Sequence, residues 1–123
     1  MNDATKLRTW QKALELADFI YEITDKFPAQ DKFGLIDQMR RSAVSVGSNI
    51  AEGAGRNSQK EFVHFLGVSN GSASELHFQI ELSFRRKYIT ETDKHQVLEH
   101  IDAITRMNIN LQQSLISKRN KPD

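Results

Sequence analysis

Apolar and polar positions along the chain fall into four long stretches with helical rhythm, with no period-two alternation long enough to make a strand. The first, residues 9–27, carries two apolar rows instead of one. Trp10, Leu14, Ala17 and Tyr21 form one row, and Ala13, Leu16, Ile20, Ile23 and Phe27 lie beside it. Phe27-Pro28 ends this helix, because the residue before a proline is pushed out of the α region. The second stretch, residues 34–54, sets Ile36, Met39, Ala43, Val46 and Ile50 at alternating spacings of three and four, a coiled-coil-like seam. Beside that seam Val44, Gly47 and Ala51 make a row of small residues where another backbone can come close.

The third stretch, residues 58–88, is the longest, about 45 Å at 1.5 Å per residue. Its seam is Phe62, Leu66, Ser69, Ala73, Leu76 and Ile80, with a partly apolar second row at Phe65, Val68, Ser72, Gln79 and Leu82. Gly67 and Gly71 inside it each cost up to ~1 kcal/mol relative to alanine. Close helix packing would explain that cost, and a slight kink is expected there. The fourth stretch, residues 92–117, reads Val97, Ile101, Ile104, Asn108, Leu111 and Leu115. Asn108 on that seam is a polar interruption of the kind that sets register. Residues 118–123 predict a frayed, disordered tail.

Four helices joined by short turns predict an all-α, up-down antiparallel four-helix bundle, a single domain over residues 1–123. A helix in an isolated bundle needs one apolar stripe. The doubled rows on the first and third helices therefore predict self-association into a homo-oligomer.

Composition narrows the class without naming a function. The chain has no cysteine, which excludes disulfides and cysteine-rich zinc sites and fits a reducing cytoplasm. The opening MNDATKLRTW has no apolar signal core, and no run approaches the ~18 apolar residues of a membrane span, so no membrane partner is expected. Seventeen Lys and Arg against sixteen Asp and Glu leave a net charge of +1. That balance places any nucleic-acid contact in local patches.

The corner SNIAEGAGRNSQKEF, residues 48–62, separates the second and third helices. Ser58 and Glu61 have capping-box spacing, the hydroxyl taking an orphan amide while the glutamate reaches back. Gly53 and Gly55 sit where the second helix must stop, positions suited to the left-handed conformation of a helix C-terminus. Glu52 and Arg56 form an i,i+4 pair worth ~0.3–0.5 kcal/mol. With Arg41, Ser45 and Asn49 they fall on one polar face opposite the seam. The stretch has neither the spacing nor the preceding strand of a phosphate loop, although Arg56 and Lys60 beside a helix N-terminus could hold an anion.

Catalytic chemistry finds little support. Glu61 and His64 have the Glu-x-x-His spacing of bundle di-iron sites, but no second such pair occurs and Glu61 is explained by the cap. His95 and His100 are five apart, off a common helix face, and His77 has no partner at ligand spacing. No hydroxyl or lysine sits in a triad context. A non-enzymatic protein with no catalytic residue, metal or cofactor is expected.

The run QMRRSAVSVGSNIAEGAGRNSQKEFVHFLGVSNGSASELHFQIELS, residues 38–83, resembles the signature of the four-helix-bundle family encoded in intervening sequences of bacterial 23S rRNA genes. That family is sometimes labelled S23 ribosomal protein, although it is not an established ribosome component. The resemblance rests on Arg40-Arg41, Ser48 through Arg56 (with Asn49, Glu52, Gly53 and Gly55), Ser58, Glu61-Phe62 with Phe65-Leu66, and Gly71-Ser72 with Glu75-Leu76. Trp10-Gln11-Lys12-Ala13 and Phe33-Gly34-Leu35 extend it, so that it covers roughly residues 7–115. Gly67, Asn70 and the basic Arg85-Arg86-Lys87 depart from the pattern. The resemblance implies an up-down bundle assembling into a ring, commonly a homopentamer, without known enzymatic activity. It also reaches accessory proteins of diversity-generating retroelements, where a basic pentameric ring associates with a reverse transcriptase and nucleic acid.

Two function classes follow. Association with RNA or DNA would use Arg40, Arg41, Arg56, Lys60, Arg85, Arg86 and Lys87, with Lys118, Arg119 and Lys121 in the tail, and with Phe84 and Tyr88 available for base stacking. A protein–protein scaffold is the alternative, with Asn49, Glu52 and Arg56 organising the corner or a subunit contact. The position of the bases discriminates between them. Bases gathered on one face favour nucleic acid, whereas bases scattered among acids favour the scaffold.

Overall fold

A computed structural model describes residues 3–119, which form four helices and, among the described residues, no strand. The helices are α1 (Arg8–Thr24), α2 (Asp37–Ala54), α3 (Gln59–Arg85) and α4 (Glu91–Arg119). Each packs on its neighbours in sequence, and α4 closes the bundle against α1. All four contacts are antiparallel. Thr9 meets Asn108 while Phe19 stacks near His100, and Met39 meets Ser83 while Ser45 meets Ser72.

The predicted seams supply the core. Leu16 and Ile20 of α1, Met39, Val46 and Ile50 of α2, Leu66, Leu76 and Ile80 of α3, and Val97 and Ile104 of α4 are fully buried. Alternating three- and four-residue spacings put these side chains on one stripe per helix, and the four stripes face inward. The one buried stripe of α1 is the Ala13–Leu16–Ile20–Ile23 row. The Trp10–Leu14–Tyr21 row stays at the surface.

Helix ends depart from the sequence expectation for local reasons. α1 stops at Thr24, three residues before Phe27. The Lys26 and Phe27 amides there tighten onto the Ile23 and Thr24 carbonyls, and the Arg40 guanidinium meets this end: it donates to the Thr24 hydroxyl at 2.9 Å, the Tyr21 carbonyl at 3.4 Å and Asp25 at 2.8 Å. It thus serves the carbonyl end of α1, where a cation is favourable. Phe27 then turns inward onto Tyr88, their ring centroids 5.1 Å apart. A wide turn over Lys32–Ile36, non-helical at Gly34, precedes α2, which begins at Asp37 and not at residue 34. α4 begins at Glu91, where Thr90 caps it by accepting from the Asp93 amide at 3.0 Å. It continues through Lys118 to Arg119, two residues of the expected tail, while residues 120–123 lie outside the described part.

Asn108 has the register role its seam position predicts. It is fully buried, accepts from the Thr9 hydroxyl at 2.7 Å, and donates to Ser69 Oγ at 3.1 Å and Asn70 Oδ1 at 2.8 Å. Ser69 in turn donates to the Val46 carbonyl at 2.8 Å. One network therefore joins all four helices, and a shifted helix would leave buried polar groups unpaired at about 1–3 kcal/mol each. The two departures on α3 find partners on α4. Asn70 pairs with Asn108, and Gly67 leaves room for Gln112, whose amide donates to the Val63 carbonyl at 3.0 Å.

The close packing expected at Gly71 is absent. A Cβ built there meets nothing within 4 Å, and α3 runs unbroken through both glycines.

Candidate functional site

The corner between α2 and α3 is tightly built. Ser58 caps α3 by accepting from the Glu61 amide at 3.3 Å, half of the predicted capping box. The Glu61 carboxylate does not complete it. It lies 3.6 Å from Arg56, which also pairs with Glu52 at 2.6 Å and sits 5.1 Å over the Phe65 ring. Opposite charges nearby compete with the backbone amide for the glutamate, and here they prevail.

Neither corner glycine adopts the left-handed conformation predicted for it. Gly53 lies inside α2, where a Cβ would come 2.8 Å from Phe65 Cβ and 2.9 Å from the Phe62 ring. Its role is close approach of α3. Gly55 ends α2 with ordinary right-handed angles. Asn49 is a packing residue as well. It donates to the Ser45 carbonyl at 2.8 Å and to the Ser45 hydroxyl at 3.0 Å, and that hydroxyl meets Ser72 of α3.

The basic residues divide between the two ends of the bundle. Arg56 and Lys60 sit at the corner, while Arg40, Arg41 and Arg85-Arg86-Lys87 sit at the far end. Arg41 and Arg56 are about 22 Å apart along α2 at 1.5 Å per residue. Arg40 is the most committed, with a side chain only 27% exposed and its guanidinium 4.5 Å over the Tyr21 ring. Arg41 lies 3.9 Å from Asp37. Among the described residues, Lys60, Arg85, Arg86 and Lys87 form no ion pair. The aromatics near them are occupied: Lys94 lies 4.5 Å over Phe84, and Tyr88 packs on Phe27. The arginines of the family-like motif are thus interleaved with acids.

At the α3–α4 turn Lys87 is left-handed, with φ of 65°. Its amide donates to the Phe84 carbonyl and that of Tyr88 to the Ser83 carbonyl, both at 3.0 Å, which closes the C-terminus of α3.

Glu61 and His64 do not converge on a ligand: Glu61 faces Arg56, and His64 lies edge-on to Phe65 at 5.2 Å. Among the described residues no three His, Asp or Glu side chains gather as metal ligands. No helix there is long and apolar enough to cross a membrane.

Apolar surface makes a stronger feature than charge. Between α1 and α2 runs a groove rimmed by Trp10, Leu14 and Val44 and floored by Ala17, Gly47 and Ala51. Leu14 is 59% exposed. Phe33 is 89% exposed beside a shallow α2–α3 pocket lined also by Asp37, Arg41 and Glu75, and Phe78 of α3 is 71% exposed outside that lining. The sequence reading named the rows that line the groove but gave Phe33 and Phe78 no place on a surface. Phe78 stands outside either apolar row of its helix, and Phe33 outside any helix; an aromatic off every stripe was the available signal.

The profile of the 23S rRNA-intervening sequence protein family matches residues 5–110. Among solved structures, the chain is similar to a protein of unknown function from the S23 ribosomal protein family of Bacteroides thetaiotaomicron. The two share 25% identity and a TM-score of 0.77, covering 85% of this chain and 95% of that one. No curated protein matches.

Proposed function

The chain belongs to the 23S rRNA-intervening sequence protein family, and from that premise we propose that it is a non-enzymatic cytoplasmic scaffold that assembles with copies of itself. The assembly is a ring, and the family resemblance argues for five copies. The exposed second row of α1 carries this reading. Leu14 stands beside Val44 at a groove lined by small residues that a neighbouring chain can approach closely, and Tyr21 continues the exposed row in the adjoining hollow. Burying a leucine of this kind stabilises a contact by about 1.5–3 kcal/mol. Sedimentation equilibrium tests the reading. A mass several times the 14.1 kDa of one chain is expected, and a single-chain mass at every concentration overturns it.

Association with RNA or DNA is the second reading, favoured by Arg85, Arg86 and Lys87, which are consecutive and form no ion pair among the described residues. Ring assembly would repeat that cluster around the axis and raise avidity. Fluorescence anisotropy with a labelled structured RNA across a salt series tests it. Binding that weakens steeply with salt, and is lost when the three residues become glutamine, supports it. No binding at low salt removes it and leaves the scaffold.

A further inference from the structure

Polar side chains of α2 and α3 meet in one shallow hollow, and two of them are buried there without partners. Asp37, Arg41 and Ser42 of α2 line it with Glu75 and Gln79 of α3, around a volume of about 440 Å³, and Phe33 makes a further wall. Ser42 is 6% exposed, and its hydroxyl forms no hydrogen bond among the described residues. Gln79 is 9% exposed, and its Oε1 accepts none. Each has given up water without gaining a partner, a state that costs stability until something supplies one. Two such groups, from different helices and on one hollow, point to a polar ligand.

The remaining groups set its charge. Asp37 and Arg41 lie 3.9 Å apart and offset each other. Glu75, one turn from Gln79 on the same face of α3, forms no ion pair among the described residues. The hollow therefore presents an uncompensated carboxylate, an amide oxygen and a hydroxyl, all of them acceptors. A cation with several N–H donors satisfies them together, and the planar fork of a guanidinium does so better than the single centre of an ammonium. Lys32 already stands over the Phe33 ring at 5.6 Å, so recognition falls to the acceptors and not to the ring. Phe33 and Arg41 are mostly exposed, and exposed side chains reorient fast enough to admit a ligand beneath them.

We propose that this α2–α3 hollow binds a guanidinium group, carried by a small guanidine or by an arginine side chain of a partner protein. Glu75 meets its charge, Gln79 and Ser42 accept its remaining N–H groups, and Arg41 competes with it for Asp37. The site lies on the other side of α2 from the assembly groove and does not depend on it.

Isothermal titration calorimetry at low salt tests it, with methylguanidinium and a capped Gly-Arg-Gly peptide as probes and a capped Gly-Lys-Gly peptide as control. Both guanidinium probes are expected to bind saturably, and the lysine peptide several-fold more weakly. Tighter binding of the arginine peptide identifies a protein partner as the source; equal affinities identify a small guanidine. Glu75→Gln is expected to weaken binding by about tenfold or more. Arg41→Gln is expected to tighten it, because the competitor for Asp37 is gone. Gln79→Leu is expected to weaken binding while leaving the empty protein at least as stable to urea, since it removes an unpaired acceptor. Glu75 is exposed, so Glu75→Gln keeps the test decisive if Gln79→Leu does not fold. No saturable binding of either guanidinium probe overturns the proposal, as does equal binding of the lysine peptide or an unchanged affinity in Glu75→Gln. Loss of binding in Arg41→Gln also overturns it, because the hollow would then hold an anion.

Discussion

The α2–α3 corner and the α3–α4 turn reverse the chain at opposite ends of the same helix, with opposite residues. The corner has two glycines and no left-handed residue; the far turn has a left-handed residue and no glycine. At the corner, Gly53 exists for space, since a Cβ there would press on Phe62 and Phe65. At the far turn the backbone conformation is special, yet a lysine holds it, secured by two carbonyl contacts behind it. A glycine therefore marks either a conformation or a close approach, and only the neighbouring helix distinguishes the two. The charges differ in parallel: the corner arginine is enclosed by two acids, whereas Arg85, Arg86 and Lys87 at the far turn form no ion pair among the described residues.

The largest expected effect tests the close approach. Gly53→Ala should lose about 1–3 kcal/mol in urea unfolding, the usual cost of overpacking. If its stability were unchanged, α3 would not be held against α2 as described. Removing the corner's cap comes next: Ser58→Ala should cost about 1 kcal/mol in the same assay.

Two substitutions should act in the opposite direction. Gly71→Ala places a methyl in open space on a continuous helix and should stabilise by up to about 1 kcal/mol, so that the same change at Gly53 and Gly71 has opposite sign. Lys87→Gly should gain about 0.5–1 kcal/mol, because glycine enters the left-handed region without the Cβ clash while losing more freedom on folding. A loss there would mean that the lysine side chain, not the backbone, secures the turn. The smallest effect is electrostatic. Glu52→Gln should cost about 0.3–0.5 kcal/mol at low salt and nothing measurable in molar salt, since both partners are half exposed.

Much of the architecture was legible in spacing alone. The seam residues of all four helices are those that face inward, and Asn108 sets register where its position said a polar group would. The errors lie at ends and at glycines. α1 stops early where the Lys26 and Phe27 amides tighten onto the Ile23 and Thr24 carbonyls, an end that Arg40 joins through the Tyr21 carbonyl and the Thr24 hydroxyl. The Ser58–Glu61 box is half made because Arg56 draws the glutamate away. Both ends are met by an arginine outside the helix concerned, and helix periodicity does not register such a partner. The candidate basic residues were read as local patches whose convergence the sequence left open, and they divide between the two ends of the bundle.

Hydrophobic periodicity determined the number of helices, their inward faces and the excess of apolar surface, because burial acts along a helix with a fixed period. Tertiary structure alone decided which of the two rows of α1 is buried, which glycine is needed for contact, and which arginines are already engaged. Those outcomes depend on distances of a few ångströms between residues far apart in the chain, and neither period nor composition encodes such distances.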